Sequence, residues 1–438
     1  MVRITLAAFL GSAAFEPIGI WYLSIIGFAI YLRKLQGSNR PIAHSLAFGF
    51  ILNAIVLHWS GKYVGAIPWL FLSGLQAMFY LPVGWISRRT HSLIWSCVTL
   101  LAMEEFRARF PFGGFGWTRI AFSQVQSPAL PIVAIGGVIA LSAFTLTIAA
   151  LLTRVNVKSL VAVIALLVMA LLLPMNPQGS GEIKLIAIQG NTPEVGLGFN
   201  SRAKAVFDLH RDATMRVTPD QYDAIVWPEN SIDIDPRLNP DVRTDISSLT
   251  TRLKTPIIAG VVQQDLTGPQ NSSIMFDEDG STKSVYIKRG LTPFGEFIPL
   301  RRISEIISPL AKTVNDFVPG TQRISHTVAG ISVGPIICYE IILDDLVRDT
   351  ANHSQVMIVQ TNSATFAGTA ESAQQLAITR IRAVEHSRDI LSVSTIGISA
   401  FIDNNGRVLS RTAENTQESL PGILKISNYR TIINRILA

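Results

Sequence analysis

Cysteine and charge are both scarce in this sequence, and each shortage excludes a class of protein. Cys97 and Cys338 are the only cysteines among 438 residues, which excludes a framework of disulfide bonds. Charged residues make up 16% of the chain, and the mean hydropathy of +0.36 is high for a soluble protein. The net charge is only +6, and no basic run is interleaved with aromatic residues. The composition therefore argues against nucleic-acid binding.

Histidine is also sparse, and its scatter gives no pattern of metal ligands. Neither His353 nor His386, two of the seven histidines, has a second ligand at the spacing of a metal-binding motif. A glycine-rich loop that could hold phosphate groups is absent from the sequence as well. We therefore expect neither a metal ion nor an organic cofactor.

Apolar residues are concentrated in the first 175 positions, whereas the rest of the chain has the composition of a water-soluble α/β protein. This contrast predicts a membrane-embedded first half, although several apolar segments are shorter than the ~20 residues that an upright helix needs to cross a bilayer. Pro17 and Gly19 join the first two segments, which could form a shallow hairpin. The seven segments are Ile4–Phe15, Ile18–Leu32, Ile42–Trp59, Ala66–Ile86, Ser92–Met103, Leu130–Leu152 and Leu160–Leu173.

The basic residues between these segments predict how the chain is oriented. With seven crossings and the N-terminus inside, eight basic residues lie inside and four outside, which agrees with the positive-inside rule. Everything after Pro174 is then expected outside the cytoplasm. Alternatively, Met1–Ala14 is a cleaved signal peptide. The inside set is Arg3, Arg33, Lys34, Arg40, Arg88, Arg89, Arg154 and Lys158, and the outside set is Lys62, Arg107, Arg109 and Arg119.

The polar half begins with a short linker rich in proline and glycine. From Ile183 onward, short β-type runs alternate with helical stretches such as Ala370–Ser387, which is typical of a layered α/β domain. We predict a transmembrane bundle over residues 1–175, a linker over 176–182, an α/β domain over 183–431 and a short tail over 432–438.

Three polar residues follow predicted strands directly, and their chemical types suit one mechanism. Glu229 follows "AIVWP", Lys288 follows "SVYI" and Cys338 follows "GPII". A cysteine attacks acyl carbon as the thiolate, a carboxylate can take its proton, and an ammonium group can stabilise the resulting oxyanion. Taken one by one, the same residues could equally be a loop acid, a surface lysine and a core cysteine.

Three motifs around these residues resemble the signatures of the nitrilase, or carbon–nitrogen hydrolase, superfamily. They are "WPEN" at Trp227–Asn230, "YIKRGLTPFGEFIPL" at Tyr286–Leu300 and "ICYEIIL" at Ile337–Leu343. They are most similar to the membrane-bound branch, the apolipoprotein N-acyltransferases, and "FGGFGWTRIAFSQVQSPAL" extends the likeness into the apolar half. The resemblance implies an N-terminal all-α polytopic membrane bundle followed by a C-terminal α/β nitrilase-type αββα sandwich.

The resemblance also implies roles for individual residues. Glu229 would be the general base, Lys288 the stabiliser of the oxyanion, and Cys338 the nucleophile that forms a thioester. Glu296 and Glu340 match acids that support this triad, and simple structural hydrogen bonding is the alternative for both. Tyr339 could contact the substrate or serve in packing.

The activity implied by the resemblance is transfer of an acyl group from a membrane phospholipid to the amine of a lipoprotein. The enzyme would lie in the bacterial inner membrane, with its catalytic domain on the periplasmic side. The segment Glu104–Trp117 mixes aromatic residues with arginines, and could border a lipid entry path or act as an interfacial anchor.

Two features depart from the family's pattern. Asn362 is followed by "SATFAG" where many members have Asp–Ala–Trp–Phe–Gly, and "ISNYRTIINRILA" is too short and polar to form a final span. Both features fit the related TraB proteins of plasmid conjugal transfer. An amide or nitrile hydrolase and a non-enzymatic envelope or conjugation accessory protein remain alternatives. The acyl donor, the acceptor and the oligomeric state are not specified by the sequence.

Overall fold

The computed structural model describes residues 1–198, 201–307 and 309–437, and the chain divides into two compact units. The first unit comprises Met1–Asn176, Ala373–Glu385 and Thr431–Ala438, and the second comprises Pro177–Ser372 and His386–Arg430. Two segments from late in the chain thus complete the first unit. The tail predicted over residues 432–438 includes Ala438, which lies outside the described residues.

The first unit is helical, and each predicted apolar segment coincides with a helix or a pair of helices. The segment Ala66–Ile86 contains a break at Phe79 and Tyr80, so that it contributes to two helices. The helices are α1 (Val2–Ser12), α2 (Tyr22–Gln36), α3 (Pro41–Val56), α4 (Ala66–Met78), α5 (Leu81–Thr90), α6 (Leu93–Arg107), α7 (Ile132–Leu152) and α8 (Val157–Leu171).

Two helical stretches in the described part of the chain are long and apolar enough to cross a membrane. They are Ala66–Thr90, which α4 and α5 form together, and Ile132–Leu152. The apolar helices α1, α3 and α8 are shorter. The helical character of the first half is therefore confirmed, while seven membrane crossings remain a prediction.

A buried glutamine fixes a late segment of the chain within the first unit. Gln374 Oε1 accepts hydrogen bonds from the indole nitrogens of Trp59, at 3.0 Å, and Trp117, at 2.7 Å. Its Nε2 donates to the carbonyl groups of Glu16 and Val56, both at 3.1 Å. One amide group thus satisfies two indole donors and two backbone carbonyl acceptors.

The segment predicted to lie at the membrane surface is only partly exposed. Arg107 and Trp117 are buried, and the Arg107 guanidinium donates to Thr118 Oγ1 at 2.7 Å and to the Thr118 carbonyl at 2.6 Å. Phe110 and Phe112 are exposed. Arg107 is thus held by protein acceptors, whereas the exposed Phe110 and Phe112 retain the character of an interfacial anchor.

The second unit contains twelve strands within the described residues, together with helices α9 (Ala205–Thr214), α10 (Pro240–Leu253), α11 (Arg301–Ile307) and α12 (Asp344–Asn352). A further helix, α13 (Glu371–His386), begins in this unit, and α14 (Ile432–Ile436) follows the last strand. The strands are β1 (Gly181–Gln189), β2 (Ala224–Val226), β3 (Ile257–Asp265), β4 (Gly268–Phe276), β5 (Thr282–Ile287), β6 (His326–Val328), β7 (Ile331–Ile337), β8 (Val356–Thr361), β9 (Ile390–Ser394), β10 (Ala400–Ile402), β11 (Val408–Arg411) and β12 (Glu418–Ile426).

The strands form two mixed sheets with the same pattern of pairing. The first has the order β12-β1-β2-β3-β4-β5, and the second has the order β11-β10-β9-β8-β7-β6. In each sheet two adjacent parallel pairs lie at the centre, β1–β2–β3 in one and β7–β8–β9 in the other. Antiparallel strands complete both edges, which is a common arrangement in mixed sheets.

The two sheets pack face to face between layers of helices. Leu185 and Ala187 of β1 join a core that also contains residues of the second sheet. Their neighbours Ile186 and Ile188 point to the opposite face, where they pack with residues of α9 and α10. Helix α12 packs on β7 and β8 of the second sheet. Burial on both faces explains the nearly continuous apolar strands, and the predicted αββα sandwich is confirmed.

Candidate active site

Glu229, Lys288 and Cys338 each follow a strand, as the sequence predicted. Lys288 comes directly after β5 and Cys338 directly after β7, while Glu229 lies three residues beyond β2. The first sheet therefore supplies the acid and the lysine, and the second sheet supplies the cysteine. Because the sheets pack face to face, side chains at these strand ends can reach one another.

Lys288 lies between two carboxylates. Its Nζ is 3.2 Å from Glu229 Oε1 and 2.8 Å from Glu296 Oε2, and only 1% of its side chain is exposed. Burial by itself would lower the pKa of Lys288, but the charges of Glu229 and Glu296 outweigh it and raise this pKa. The ammonium group therefore stays protonated at neutral pH.

Asn271 on β4 holds both acids and was not identified from the sequence. Its Nδ2 donates to Glu229 Oε1 at 2.7 Å and to Glu296 Oε1 at 2.8 Å. The backbone N–H of Lys288 in turn donates to the Asn271 carbonyl at 2.8 Å. No local pattern in the sequence distinguishes Asn271 from the neighbouring polar residues Gln270 and Ser272.

Glu296 is ionised by its surroundings. Burial alone would raise the pKa of Glu296, but Lys288 and the Asn271 amide lower it below its usual range. Its Oε2 also accepts the backbone N–H of Thr292 at 2.8 Å. Glu296 therefore contributes a fixed negative charge beside the lysine.

The second oxygen of Glu229 is held by the segment that follows β8. The backbone N–H of Asn362 donates to Glu229 Oε2 at 2.9 Å. Asn362 Oδ1 accepts from the Ala364 N–H and from Thr395 Oγ1, both at 3.0 Å, which fixes this segment. Glu229 thus has donors on both oxygens and a defined orientation.

Cys338 occupies a strained turn at the end of β7. It is the first residue of the 3₁₀ helix Cys338–Ile342, and its φ of +48° lies in the left-handed region, which a residue with a Cβ rarely adopts. The residue is half-buried. Burial of its thiol, followed by the charge of Glu229, raises the pKa of Cys338 well above the ordinary value, although Lys288 opposes this. The resting cysteine is therefore a neutral thiol.

Glu340 ties the strand that ends at Lys288 to the strand that ends at Cys338. Its Oε1 accepts from Tyr286 Oη at 2.8 Å and from the backbone N–H groups of Arg289, at 2.8 Å, and Gly290, at 3.0 Å. Its Oε2 accepts from the Ile337 N–H at 2.8 Å. Burial nevertheless raises the pKa of Glu340. Glu340 thus bridges β5 and β7 by hydrogen bonds, and its role in supporting the triad stays a prediction.

Tyr339 was a candidate site residue from the sequence, whereas Glu371 was not. Tyr339, for which substrate contact and packing were both open, is buried, and burial raises the pKa of its phenol. Glu371, the first residue of α13, was not identified, yet its charge acts on the Cys338 thiol. No local pattern in the sequence distinguishes Glu371 from an ordinary acid at a helix start.

This arrangement suits acyl transfer through a cysteine. It combines a neutral thiol, a carboxylate with a fixed orientation and an ammonium group that remains charged although it is buried. In the described part of the chain, no three histidine, cysteine, aspartate or glutamate side chains are grouped to hold a metal ion.

Two family models match the chain, one for each half. Residues 7–151 match the N-terminal domain of apolipoprotein N-acyltransferase, and residues 185–431 match the carbon–nitrogen hydrolase domain. The second match alone covers more than half of the chain.

Curated relatives extend over nearly the whole chain. The apolipoprotein N-acyltransferase of Mycolicibacterium smegmatis is 32% identical, over 91% of this chain and 75% of that protein. The enzyme of the same name from Pseudomonas paraeruginosa is 27% identical, over 93% of this chain and 86% of that protein. Among solved structures, a CN-hydrolase superfamily protein from Xanthomonas campestris has 17% identity and a TM-score of 0.43, over 56% of this chain and 91% of that one.

Proposed function

Since the chain belongs to the apolipoprotein N-acyltransferase family, we propose that it transfers an acyl group from a phospholipid, through a thioester on Cys338, to an amine acceptor. The observation that supports this most directly is the position of Lys288, buried between Glu229 and Glu296 with its charge retained. A buried ammonium group beside a cysteine is the environment that an acyl oxyanion requires.

In the first half-reaction, the Cys338 thiol gives its proton to Glu229 while its sulfur attacks the ester carbonyl carbon of the phospholipid. Because the resting thiol is neutral, proton transfer has to accompany attack. Lys288 stabilises the oxyanion that forms. The carbon–oxygen ester bond then breaks, Glu229 returns the proton to the leaving oxygen, and a lysophospholipid departs from the acylated cysteine.

In the second half-reaction, a neutral amine attacks the thioester carbonyl carbon, and Lys288 again stabilises the oxyanion. Glu229 takes a proton from the amine nitrogen as the carbon–nitrogen bond forms. The carbon–sulfur bond breaks, and the Cys338 sulfur regains a proton from Glu229. The products are an amide and the free thiol, so the protein returns to its starting state without a cofactor.

Membrane attachment follows from the same proposal. An acyl donor that stays in the bilayer requires a catalytic domain next to a membrane, and the apolar helices α4, α5 and α7 provide the attachment. A periplasmic position for the second unit follows from the larger number of arginines and lysines in the loops predicted to face the cytoplasm than in those predicted to face outward. The acceptor that fits the relatives' name is the N-terminal amine of a lipoprotein. The relatives from Mycolicibacterium smegmatis and Pseudomonas paraeruginosa are both named apolipoprotein N-acyltransferase, and neither name supports a role in conjugal transfer.

Labelling with an alkyne fatty acid tests the thioester. Cells that express the wild-type protein should yield a labelled band, and neutral hydroxylamine, which cleaves thioesters, should remove the label. The Cys338→Ser variant should give no hydroxylamine-sensitive label. A Cys97→Ser variant is the matched control and should label like the wild type. Label that persists in Cys338→Ser would contradict the proposed nucleophile.

A further inference from the structure

Glu371 is a buried carboxyl group beside the site that the proposed mechanism does not use. Only 2% of its surface is exposed. The Ser372 hydroxyl donates to Glu371 Oε2 at 3.4 Å, and the Ser363 hydroxyl donates to the same carboxyl group. Within the described ranges, no lysine or arginine forms an ion pair with it. A buried acid without a cation is strongly biased towards its neutral form.

The hydroxyl groups around Glu371 are packed tightly. A Cβ added at Gly397 would lie 2.7 Å from the hydroxyl oxygens of Ser372 and Ser394 and 2.8 Å from that of Ser363. Ser394 Oγ donates to Ser363 Oγ at 3.4 Å and accepts from the Gly397 N–H at 3.0 Å. This cluster keeps the two donors of Glu371 in one arrangement.

The segment that contacts Glu371 also contacts the proposed general base. The N–H of Asn362 donates to Glu229, and the next residue, Ser363, donates to Glu371. The two acids are therefore hydrogen-bonded to adjacent residues of one segment. Their charges act on the same thiol, since both Glu229 and Glu371 disfavour ionisation of Cys338.

The groups that face Glu371 decide when it ionises. Burial is the largest influence, and the carboxylates of Glu229 and Glu414 add to it, so that the pKa of Glu371 is raised to about 7. The serine hydroxyls oppose this increase. Lys288 and Glu296 act on Cys338, the lysine favouring the thiolate and the glutamate opposing it. Glu371 is thus a group beside the thiol whose charge changes near neutral pH.

We propose that Glu371 is a positioning residue for Cys338: the neutral acid permits the thiol to ionise, and the carboxylate holds it protonated. The inference rests on the proposed function, because it concerns the same nucleophile. As a consequence, the rate of acylation of Cys338 increases less with rising pH than the rate for an isolated cysteine would.

Alkylation of Cys338 by iodoacetamide between pH 6 and 9 tests this proposal. The full-length protein in detergent carries Cys97→Ser, so that only Cys338 reacts, and is compared with the same protein carrying Glu371→Gln. The ratio of the variant rate to the parent rate should be near one at pH 6. It should rise to about three- to tenfold at pH 8.5, because the carboxylate of Glu371 in the parent disfavours the thiolate and glutamine in the variant does not.

The controls separate charge from structure. Glu371→Asp keeps the carboxyl group and should restore the parent's pH dependence. Glu414→Gln should stay within about twofold of the parent rate, because Glu414 is the smallest of the influences named above on Glu371 and is not among those on Cys338. A ratio that does not change with pH would mean a structural role and would overturn the inference.

The parent protein alone provides a second measurement. Its logarithmic rate should rise with a slope below one around pH 7, where Glu371 ionises, and a slope of one throughout would contradict the inference. A parent that is not alkylated at any pH would contradict the proposed function as well. A pH-independent ratio with normal alkylation contradicts the role of Glu371 only.

Discussion

At the scale of single residues, the site depends on how buried charges balance. Lys288 is surrounded by Glu229 and Glu296, and the Asn271 amide holds both acids from one nitrogen. A buried ion pair of this kind contributes to stability only when its remaining donors and acceptors also have hydrogen-bond partners. Asn271 is therefore as important for the geometry as the charged residues, although it has no charge.

Replacement of Asn271 by leucine should slow acylation of Cys338 without unfolding the protein. The change keeps the volume but removes one donor from both carboxylates, so that only Lys288 and the Asn362 N–H still orient Glu229. We expect a loss of about 10- to 100-fold in the rate of acylation, corresponding to about 1–3 kcal/mol for an unmade buried hydrogen bond. The measurement is the rate at which purified protein acquires a hydroxylamine-sensitive acyl group from phospholipid vesicles.

Gln270→Leu is the matched control for this prediction, because Gln270 precedes Asn271 on β4 and its amide donates to Asp265. Its acylation rate should equal that of the wild type. Normal acylation in Asn271→Leu, alongside an inactive Lys288→Met variant, would show that the lysine alone orients Glu229.

At the scale of elements, helix α7 is broken where a glutamate supports it. Gly136 and Gly137 leave the helical conformation, and Gly137 has a φ of +71°. Glu385 Oε1 accepts the N–H of Val138 at 3.2 Å, and its other oxygen pairs with Arg382 at 2.5 Å. Glu385 thus satisfies a backbone donor that the break leaves without its helical partner.

Gly137→Ala should destabilise the first unit. An added Cβ would lie 3.1 Å from Glu385 Oε1, and alanine is strained at this positive φ. We expect a loss of about 1–3 kcal/mol, seen as a lower midpoint of thermal unfolding in detergent.

Gly74→Ala, in helix α4, is the control for this substitution, because a Cβ there meets nothing within 4 Å. It should leave the midpoint unchanged or raise it, since alanine favours helix. Equal midpoints for Gly137→Ala and the wild type would contradict the account of the α7 break.

At the scale of the whole molecule, the sequence predicted the architecture better than it predicted which residues contact one another. The alternation of short apolar strands with helices predicted a layered α/β domain, and the resemblance of three motifs implied the αββα form of it. Cys338 could be selected as a candidate because one of these motifs coincides there with the end of a predicted strand. Asn271 could not be connected with Glu229, since they are 42 residues apart and no local pattern joins them. The inclusion of residues 373–385 in the first unit was equally non-local, because it depends on partners of Gln374 such as Trp59.

The most direct test of the central claim follows one acyl group from donor to acceptor. Purified protein would be acylated with labelled phospholipid, freed of donor, and mixed with a synthetic diacylglyceryl-cysteine peptide. Peptide mass spectrometry should locate the label first on the peptide that contains Cys338 and then, as an amide, on the amine of the acceptor. Release of the label only as free fatty acid would indicate a hydrolase, and a label that never reaches Cys338 would contradict the thioester mechanism.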